Sequence, residues 1–214
     1  MRRMRLVRLL AAGAAAMTVA GCAQFTGAAT PQRAGLTGTW RTAGCEFSRT
    51  PQHTLVGGMR MPVTPARLAA AMDRVERGGR EQFAASFAGV EVDDIRVRAI
   101  VYRVPSAAFD DYIRYRAEDS CVVVRDAAHA VAELDAWHDR VVADLPYWTA
   151  QGLRIVTVGT RHDGVGVEIG TRDFDRARRA LPARYGAEAP LVFVEEGPVT
   201  PLTSGRAVAP GAGG

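Results

Sequence analysis

The chain has 214 residues, of which 48% are hydrophobic and 23% are charged. These values are ordinary for a globular protein, and they exclude a fully disordered chain, a collagen and a protein with many membrane spans. The formal net charge is +4, but four arginines lie among the first eight residues and the first acidic residue is Glu46. Without residues 1–21 the arginines and the acidic residues balance, so the charge does not support nucleic-acid binding.

The N-terminus has the pattern of a secretory signal, because an arginine-rich segment is followed by small apolar residues over 9–20. This run is shorter than the roughly 20 residues that a transmembrane helix needs. It ends in Val19-Ala20-Gly21-Cys22, which resembles the lipobox of bacterial lipoproteins. The resemblance implies cleavage before Cys22, a diacylglyceryl group on its thiol, and anchoring at the outer face of the bacterial cytoplasmic membrane. An ordinary signal peptide with a chance cysteine is the alternative.

The composition changes on both sides of a central region. Residues 22–38 and 198–214 are small, polar and rich in glycine and proline, and we expect a lipidated tether and a disordered tail. Residues 39–197 are then expected to form a single α+β domain.

Two cysteines remain if Cys22 carries a lipid. Cys45 and Cys121 are predicted to form a disulfide in an oxidising compartment, and two separate thiols are the alternative. Neither a CxxC motif nor the Cys/His spacing of a zinc site occurs, so we predict no metal site.

The first half of the central region predicts alternating helices and strands. Thr64-Pro65 is typical of a helix start, and Gly78-Gly79 is expected to end that helix. A short helix with Phe83 and Phe87 is predicted next. Residues 94–104 alternate like a strand. A helix with three apolar residues and a short strand are expected to follow: Phe109, Tyr112 and Ile113, then 121–125.

The second half carries stronger local signals. A long helix over about 127–149 is predicted, with Asp126 as its N-cap. Asp163-Gly164 predicts a hairpin between strands 153–160 and 165–170. A helix capped by Thr171 and a last strand from Leu191 to Glu195 complete the chain.

This order of elements from Cys121 onward is β-α-β-β-α-β. It predicts a ferredoxin-like sandwich, in which an antiparallel sheet has two helices on one face. The strand at 94–104 and its helices are then an N-terminal extension of the same sheet.

Residues capable of catalysis are dispersed, and none stands in a recognised motif. His129 and Glu133 are four residues apart on the long helix and can share a face, which is more often a solvated face than a metal site. Neighbouring acidic residues point in different directions on regular elements. We therefore predict no catalytic, cofactor or metal site. The residues considered were His53, His138 and His162; Ser48, Ser86, Ser106, Ser120 and Ser204; and Asp93-Asp94, Asp110-Asp111 and Glu195-Glu196.

Three stretches of residues 121–196 together resemble the pro-regions of secreted bacterial serine proteases of the α-lytic and streptogrisin type. They are 122–125 followed by Ala132-Glu133-Leu134-Asp135, then 156–159 followed by 163–167, and the closing strand after Tyr185-Gly186. In that family the pro-region helps its own protease to fold and then inhibits it. We expect no protease domain to follow, so the resemblance implies a sheet edge that docks another chain, through the hairpin 153–170 or the last strand.

These observations predict a lipid-anchored, non-enzymatic module that binds a protein, a peptide or an envelope component. A protease-inhibitor-like module is the sharper form of this hypothesis. An envelope hydrolase with a dispersed site and a carrier of a small ligand are the alternatives.

Overall fold

Two copies of one structural unit follow each other in the computed structural model, which describes residues 37–197. Before them come one strand, a short 3-10 turn and a hairpin: β1 (Trp40–Arg41), Ala43–Glu46, β2 (Gln52–Val56) and β3 (Met59–Val63). The first unit is α1 (Ala66–Gln82), β4 (Phe87–Asp93), β5 (Arg98–Arg103), α2 (Ala107–Ala117) and β6 (Val122–Asp126). The second unit is α3 (Val131–Ala143), α4 (Leu145–Ala150), β7 (Ile155–Thr160), β8 (Val167–Thr171), α5 (Phe174–Tyr185) and β9 (Leu191–Glu195).

Each unit builds its own sheet by the same rule. The first two strands pair antiparallel, β4 with β5 and β7 with β8. The third strand then pairs parallel with the second, β6 with β5 and β9 with β8. Such a parallel neighbour requires a crossover connection, which α2 and α5 provide. Even the register shift in the first strand recurs, at Phe87/Gly89 and at Ile155/Thr157, so the units are structural repeats.

Each repeat also has a separate hydrophobic core between its helices and its sheet. The two cores are built from residues at helical spacing and from alternate strand positions, as burial on one face requires. The first includes Leu68, Val75, Phe87, Val101, Phe109, Ile113 and Val124. The second includes Leu134, Val141, Trp148, Val167, Ile169, Ala177 and Leu181.

The structure confirms a mixed α+β fold but not the ferredoxin-like arrangement. In that arrangement β6 would join the sheet of the last three strands. Instead β6 lies in the four-stranded sheet β1-β6-β5-β4, while β7, β8 and β9 form a sheet of their own. The physical reason is that α2 returns β6 directly to the side of β5, because consecutive strands are usually neighbours. The strand predicted at 94–104 therefore extends a different sheet.

The prediction that Gly78-Gly79 ends the first helix is wrong, because α1 continues to Gln82. Both glycines are buried, and the helix passes so close to its neighbours that a Cβ atom at Gly79 would lie 2.5 Å from the Phe87 ring. The absence of side chains thus serves close packing and does not break the helix. The short helix predicted with Phe83 and Phe87 is also wrong, since Phe87 begins β4.

The long helix predicted over about 127–149 is divided into α3 and α4. Pro146 lies in the first turn of α4, where its missing N–H is tolerated but would interrupt a continuous helix. Asp126 is not the N-cap of α3, because Ala130 occupies that position and Asp126 ends β6. The hairpin around Asp163-Gly164, the helix that follows it and the strand β9 are found as predicted. Thr171 is not the N-cap of that helix, because it still belongs to β8 and Asp173 occupies the cap position.

The predicted signal segment, Cys22 and its tether over 22–36, and the tail over 198–214 lie outside the described residues. Among residues 37–197, no helix is long and apolar enough to cross a membrane.

Candidate functional site

The outer edge of β6 is covered by the short strand β1. Trp40 and Arg41 pair antiparallel with Val124 and Val123. Just after β1, the buried Thr42 donates its backbone N–H to the Val122 carbonyl at 3.0 Å. Its hydroxyl accepts from the Val122 N–H at 2.9 Å. Two residues of strand and one threonine thus satisfy the backbone groups on this edge.

A buried ionic network holds β1 in place. The side chain of Arg103 is fully buried, and its Nε donates to Asp110 Oδ1 at 2.8 Å. The Trp40 indole N–H donates to the same oxygen at 3.2 Å, and the Arg114 guanidinium lies over the Trp40 ring, 4.4 Å from its centroid. A buried charge needs such partners, because its desolvation is costly when it stands alone.

The Arg103 guanidinium also reaches the carboxylate of Asp126. This carboxylate accepts a hydrogen bond from the backbone N–H of Gly38 at 2.6 Å. Desolvation alone would raise the pKa of Asp126. The hydrogen bonds from Gly38 and Arg103 outweigh it and hold the pKa below the ordinary value. Asp126 therefore stays ionised and fixes the chain just before β1 to the end of β6.

The corresponding edge in the second repeat carries no strand among the described residues. β9 occupies the position of β6, yet the order β7-β8-β9 ends with it. Proteins usually protect sheet edges with very short strands or with bulges. β1 has only two residues, and β4 and β7 carry register shifts. β9 has five residues in regular register with β8, which leaves it the most suitable edge of the two repeats for another strand.

The pairing with β8 indicates which backbone groups of β9 face outwards. The Pro190 carbonyl accepts from the Val167 N–H, and the Glu196 N–H donates to the Thr171 carbonyl. Because bonding residues alternate along a parallel strand, the N–H and C=O groups of Phe193 and Glu195 face away from β8. In the first repeat, the position equivalent to Phe193 is Val124, which pairs with Trp40 of β1.

The face of the second sheet opposite its helices is small and polar at the centre. A Cβ atom at Gly170 would lie 2.1 Å from Glu196 Oε1 and 2.2 Å from Thr157 Oγ1. The Thr157 hydroxyl donates to this Glu196 carboxylate across the glycine. Val194 is exposed beside it. Glu196 is therefore a structural residue, while Glu195, its neighbour, is exposed at the edge.

A polar cluster lies where the β7–β8 hairpin meets the first sheet. The Tyr102 hydroxyl donates to Glu91 Oε2 at 2.8 Å, and His162 Nε2 is 3.7 Å from the same oxygen. Burial, followed by the bond to Glu91, raises the pKa of Tyr102, against an opposing effect of Arg125. The Gly89 backbone touches His162, since a Cβ there would lie 2.3 Å from the His162 carbonyl oxygen. The cluster joins the two repeats.

A cavity of about 420 Å³ lies between α4 and α5, lined in part by Tyr147, Trp148 and Arg184. Its polar groups bind each other. The Trp148 indole donates to Tyr185, Tyr185 donates to Asp144, and the Arg184 guanidinium donates twice to Asp144. The bonds from Arg184 and Tyr185 lower the pKa of Asp144. This arrangement fastens α4 to α5.

The structure places the predicted site residues as follows. Cys45 and Cys121 form the predicted disulfide. His129 precedes Ala130, the N-cap of α3, so the prediction that it shares a helix face with Glu133 is wrong. Its Nδ1 nevertheless lies 2.9 Å from Glu133 Oε1. No group of three or more histidine, cysteine or acidic side chains that could hold a metal ion occurs within residues 37–197. His53 lies on β2 and bonds Arg60, and His138 contacts Asp139.

The adjacent acidic residues do point apart. Asp93 bonds Arg96 and Arg98, whereas Asp94 accepts from Thr64. Desolvation would raise the pKa of Asp93, but these arginines lower it. Asp110 is buried, while Asp111 contacts Arg114 at the surface. None of these pairs forms a shared carboxylate site.

Several important residues were not among those predicted. Trp40, Arg103 and Glu91 acquire their roles only through partners distant in sequence. A signal was present for Arg103, because it stands on the apolar face of a strand where a charge requires a partner. Nothing local marks the exposed edge of β9.

In comparisons with known proteins, no protein family matches this chain, and neither a curated protein nor a solved structure matches it.

Proposed function

We propose that this protein is a non-enzymatic binding module, anchored by a lipid on Cys22 to the outer face of the bacterial cytoplasmic membrane. The anchor is supported by the lipobox-like sequence Val19-Ala20-Gly21-Cys22 after an arginine-rich and apolar segment. The disulfide between Cys45 and Cys121 is consistent with an oxidising compartment.

The module takes an extended segment of a partner protein as an additional strand on β9. The observation that carries this proposal is the comparison of equivalent strands, since β6 is covered by β1 and β9 is uncovered among the described residues. Strand addition to an exposed edge is a common mode of peptide recognition, in which main-chain bonds supply affinity. β1 runs antiparallel to β6, so we expect the partner strand to run antiparallel to β9.

Specificity is expected from the side chains that flank this edge. Val194 is exposed on the open face and Glu195 on the other, and side chains of an added strand alternate between these two faces. An apolar residue beside Val194 and a basic residue beside Glu195 would suit the edge. The partner is therefore a protein with an extended apolar and basic segment.

The test replaces one backbone donor at the edge. Glu195→Pro removes an outward-facing N–H and leaves the bonds between β8 and β9, because Glu195 does not donate to β8. Glu195→Gln removes the same charge but keeps the N–H, so it is the matched control. Full-length protein in native membranes carries a photo-crosslinking amino acid at Val194, or at Ile95 as an exposed site elsewhere. Adducts are identified by mass spectrometry.

We expect a partner that crosslinks from position 194 and not from 95. Its yield should fall about tenfold with Glu195→Pro, since one or two hydrogen bonds are lost, and little with Glu195→Gln. A secreted serine protease among the adducts would support the inhibitor-like form. Equal adducts from both positions, or yields that Glu195→Pro does not change, would show that β9 is not the binding edge.

A further inference from the structure

The hairpin β2–β3 is a separate two-stranded sheet outside both repeats. All ten of its strand residues are exposed. Its tight turn is Gly57-Gly58, and both glycines have positive φ, as the turns that join hairpin strands require. Two strands alone are only marginally stable in water, so an exposed hairpin of this length needs a surface to contact.

The apolar side chains of this hairpin surround its tip. Val56 and Met59 are directly opposite each other on one face, and Leu55 is on the other. They are 57%, 66% and 73% exposed. Met61 and Val63 continue the first face towards the base. A groove on a protein would cover one face of a hairpin, whereas here each face of the tip carries an apolar side chain, with Arg60 directly opposite Leu55 on the second face.

Arginines surround the base of the hairpin. A cavity of about 230 Å³ there is lined by Arg49, Gln52 and Arg67, among others. A second cavity, of about 350 Å³, shares Arg67 and adds Arg74 and Arg116. Glu118 and Asp119 also line it, and Arg67 pairs with Asp119. Arg49 donates to the Asp119 carbonyl, while its buried Nε has no hydrogen-bond partner among the described residues.

The sequence around the hairpin is also free of acidic residues. None occurs from Phe47 to Met72, a stretch that includes Arg49, Arg60 and Arg67. An apolar tip with a cationic base is the charge and polarity profile of a segment that enters a membrane interface, where anionic headgroups attract arginine and the acyl region accepts apolar side chains.

We propose that the β2–β3 hairpin inserts its tip into the outer leaflet of a bilayer, while the arginines at its base contact anionic lipid headgroups. This inference rests on the proposed lipid anchor at Cys22, because the anchor would keep the hairpin within reach of the membrane. The 14 residues 23–36 can span no more than about 50 Å, so the anchored domain stays next to the membrane. Membrane contact by the hairpin orients the domain and leaves the β9 edge to a partner.

The experiment maps lipid contact along the protein. The full-length protein is reconstituted in vesicles of phosphatidylglycerol and phosphatidylcholine that contain a diazirine-bearing phospholipid. After illumination, trypsin cleaves at Arg49, Arg60 and Arg67. The peptide 50–60 then holds β2, the turn and the first two residues of β3, and the peptide 61–67 holds the rest of β3. Label in these peptides is compared with label in 81–96, which contains the exposed Ile95.

The variant Val56→Ser with Met59→Ser removes the apolar pair at the tip. Both side chains are exposed, so the fold should be kept, and a thermal melt verifies this. We expect at least a tenfold loss of label from 50–60 and 61–67. Ile95→Ser is the matched control and should change nothing in these peptides. Arg60→Gln removes the arginine next to the tip and joins the two peptides into 50–67. The label in this joined peptide should fall about fivefold in phosphatidylglycerol vesicles and little in pure phosphatidylcholine.

The outcomes separate this inference from the anchor. Protein that floats with the vesicles but carries no more label in 50–60 and 61–67 than in 81–96 overturns the hairpin inference and leaves the anchor standing. It would also favour a groove on a partner protein as the surface that the hairpin contacts. In Cys22→Ala protein at high lipid concentration, label that still depends on Val56 and Met59 supports the hairpin inference, even if wild-type Cys22 carries no lipid and the anchor proposal fails.

Discussion

The first repeat, α1 to β6, and the second, α3 to β9, have the same order of strands, the same crossover helices and the same register shift. They differ in how their last strand ends the sheet. The first repeat has a covering strand, a disulfide and a fully buried arginine around β6. The second has an uncovered β9 and a partly exposed ion pair between Arg184 and Asp144. Within the described residues, the last strand of the first repeat is therefore held by more buried and covalent contacts than the last strand of the second.

The largest expected effect concerns the ion pairs of the two repeats. Arg103→Met removes a buried guanidinium from Asp110 and Asp126, and should lower the free energy of unfolding by about 3–5 kcal/mol. Arg184→Met removes an ion pair whose side chains are 38% and 25% exposed, and should lower the free energy of unfolding far less, because solvent screens such a pair. Methionine keeps most of the length of the arginine in both variants. Urea unfolding followed by circular dichroism measures both values.

Equal losses in these two variants would contradict the comparison. Tryptophan fluorescence gives a second readout, because Trp40 reports on the first repeat and Trp137 and Trp148 on the second. In Arg103→Met, the change attributable to Trp40 should come at the lowest urea concentration.

The disulfide should have the next largest effect. Cys45→Ser with Cys121→Ser opens a loop of 76 residues, which the chain-entropy account values at about 4 kcal/mol, although measured losses are often nearer 2–3 kcal/mol. The loss should fall on the first repeat. Differential scanning calorimetry of the double variant, and of the wild type with reductant, should show similar decreases in Tm. A double variant as stable as the oxidised wild type would show that the bridge adds nothing.

The sequence predicted the second repeat better than the first, for a physical reason. Asp163-Gly164 and the stripe Ala177–Leu181–Tyr185 are local signals of a turn and of a buried helix face, and the structure contains both. Only the cap is displaced, from Thr171 to Asp173. The first repeat depends on contacts between distant residues. Gly78-Gly79 indicated a break by local propensity, but tertiary packing against Phe87 overrides that propensity.

Strand partners were the least predictable feature. The sequence indicated that residues near 122–125 form a strand, but nothing in them states that β1 and β5 are its neighbours. The same holds for the candidate site. The resemblance to protease pro-regions suggests the last strand as a docking edge, but only the comparison of the two repeats shows that this edge is uncovered among the described residues. Trp40 and Asp126 likewise have meaning only once β1 lies beside β6.

The smallest expected effect is a difference between the two repeats in how stability depends on pH. The pKa of Asp126 is lowered in the folded protein, where desolvation is outweighed by bonds from Gly38 and Arg103. A lowered folded pKa gives stability that is complete above the unfolded value of about 4 and is lost as the pH falls through the folded pKa. Asp126→Asn should therefore flatten the decline in Tm below about pH 4. Asp135→Asn, an exposed change of equal charge in the second repeat, should leave that decline as it is. An unchanged slope in Asp126→Asn would mean that the chain before β1 is not held by this carboxylate, and that the cover over β6 depends on Trp40 and Thr42 alone.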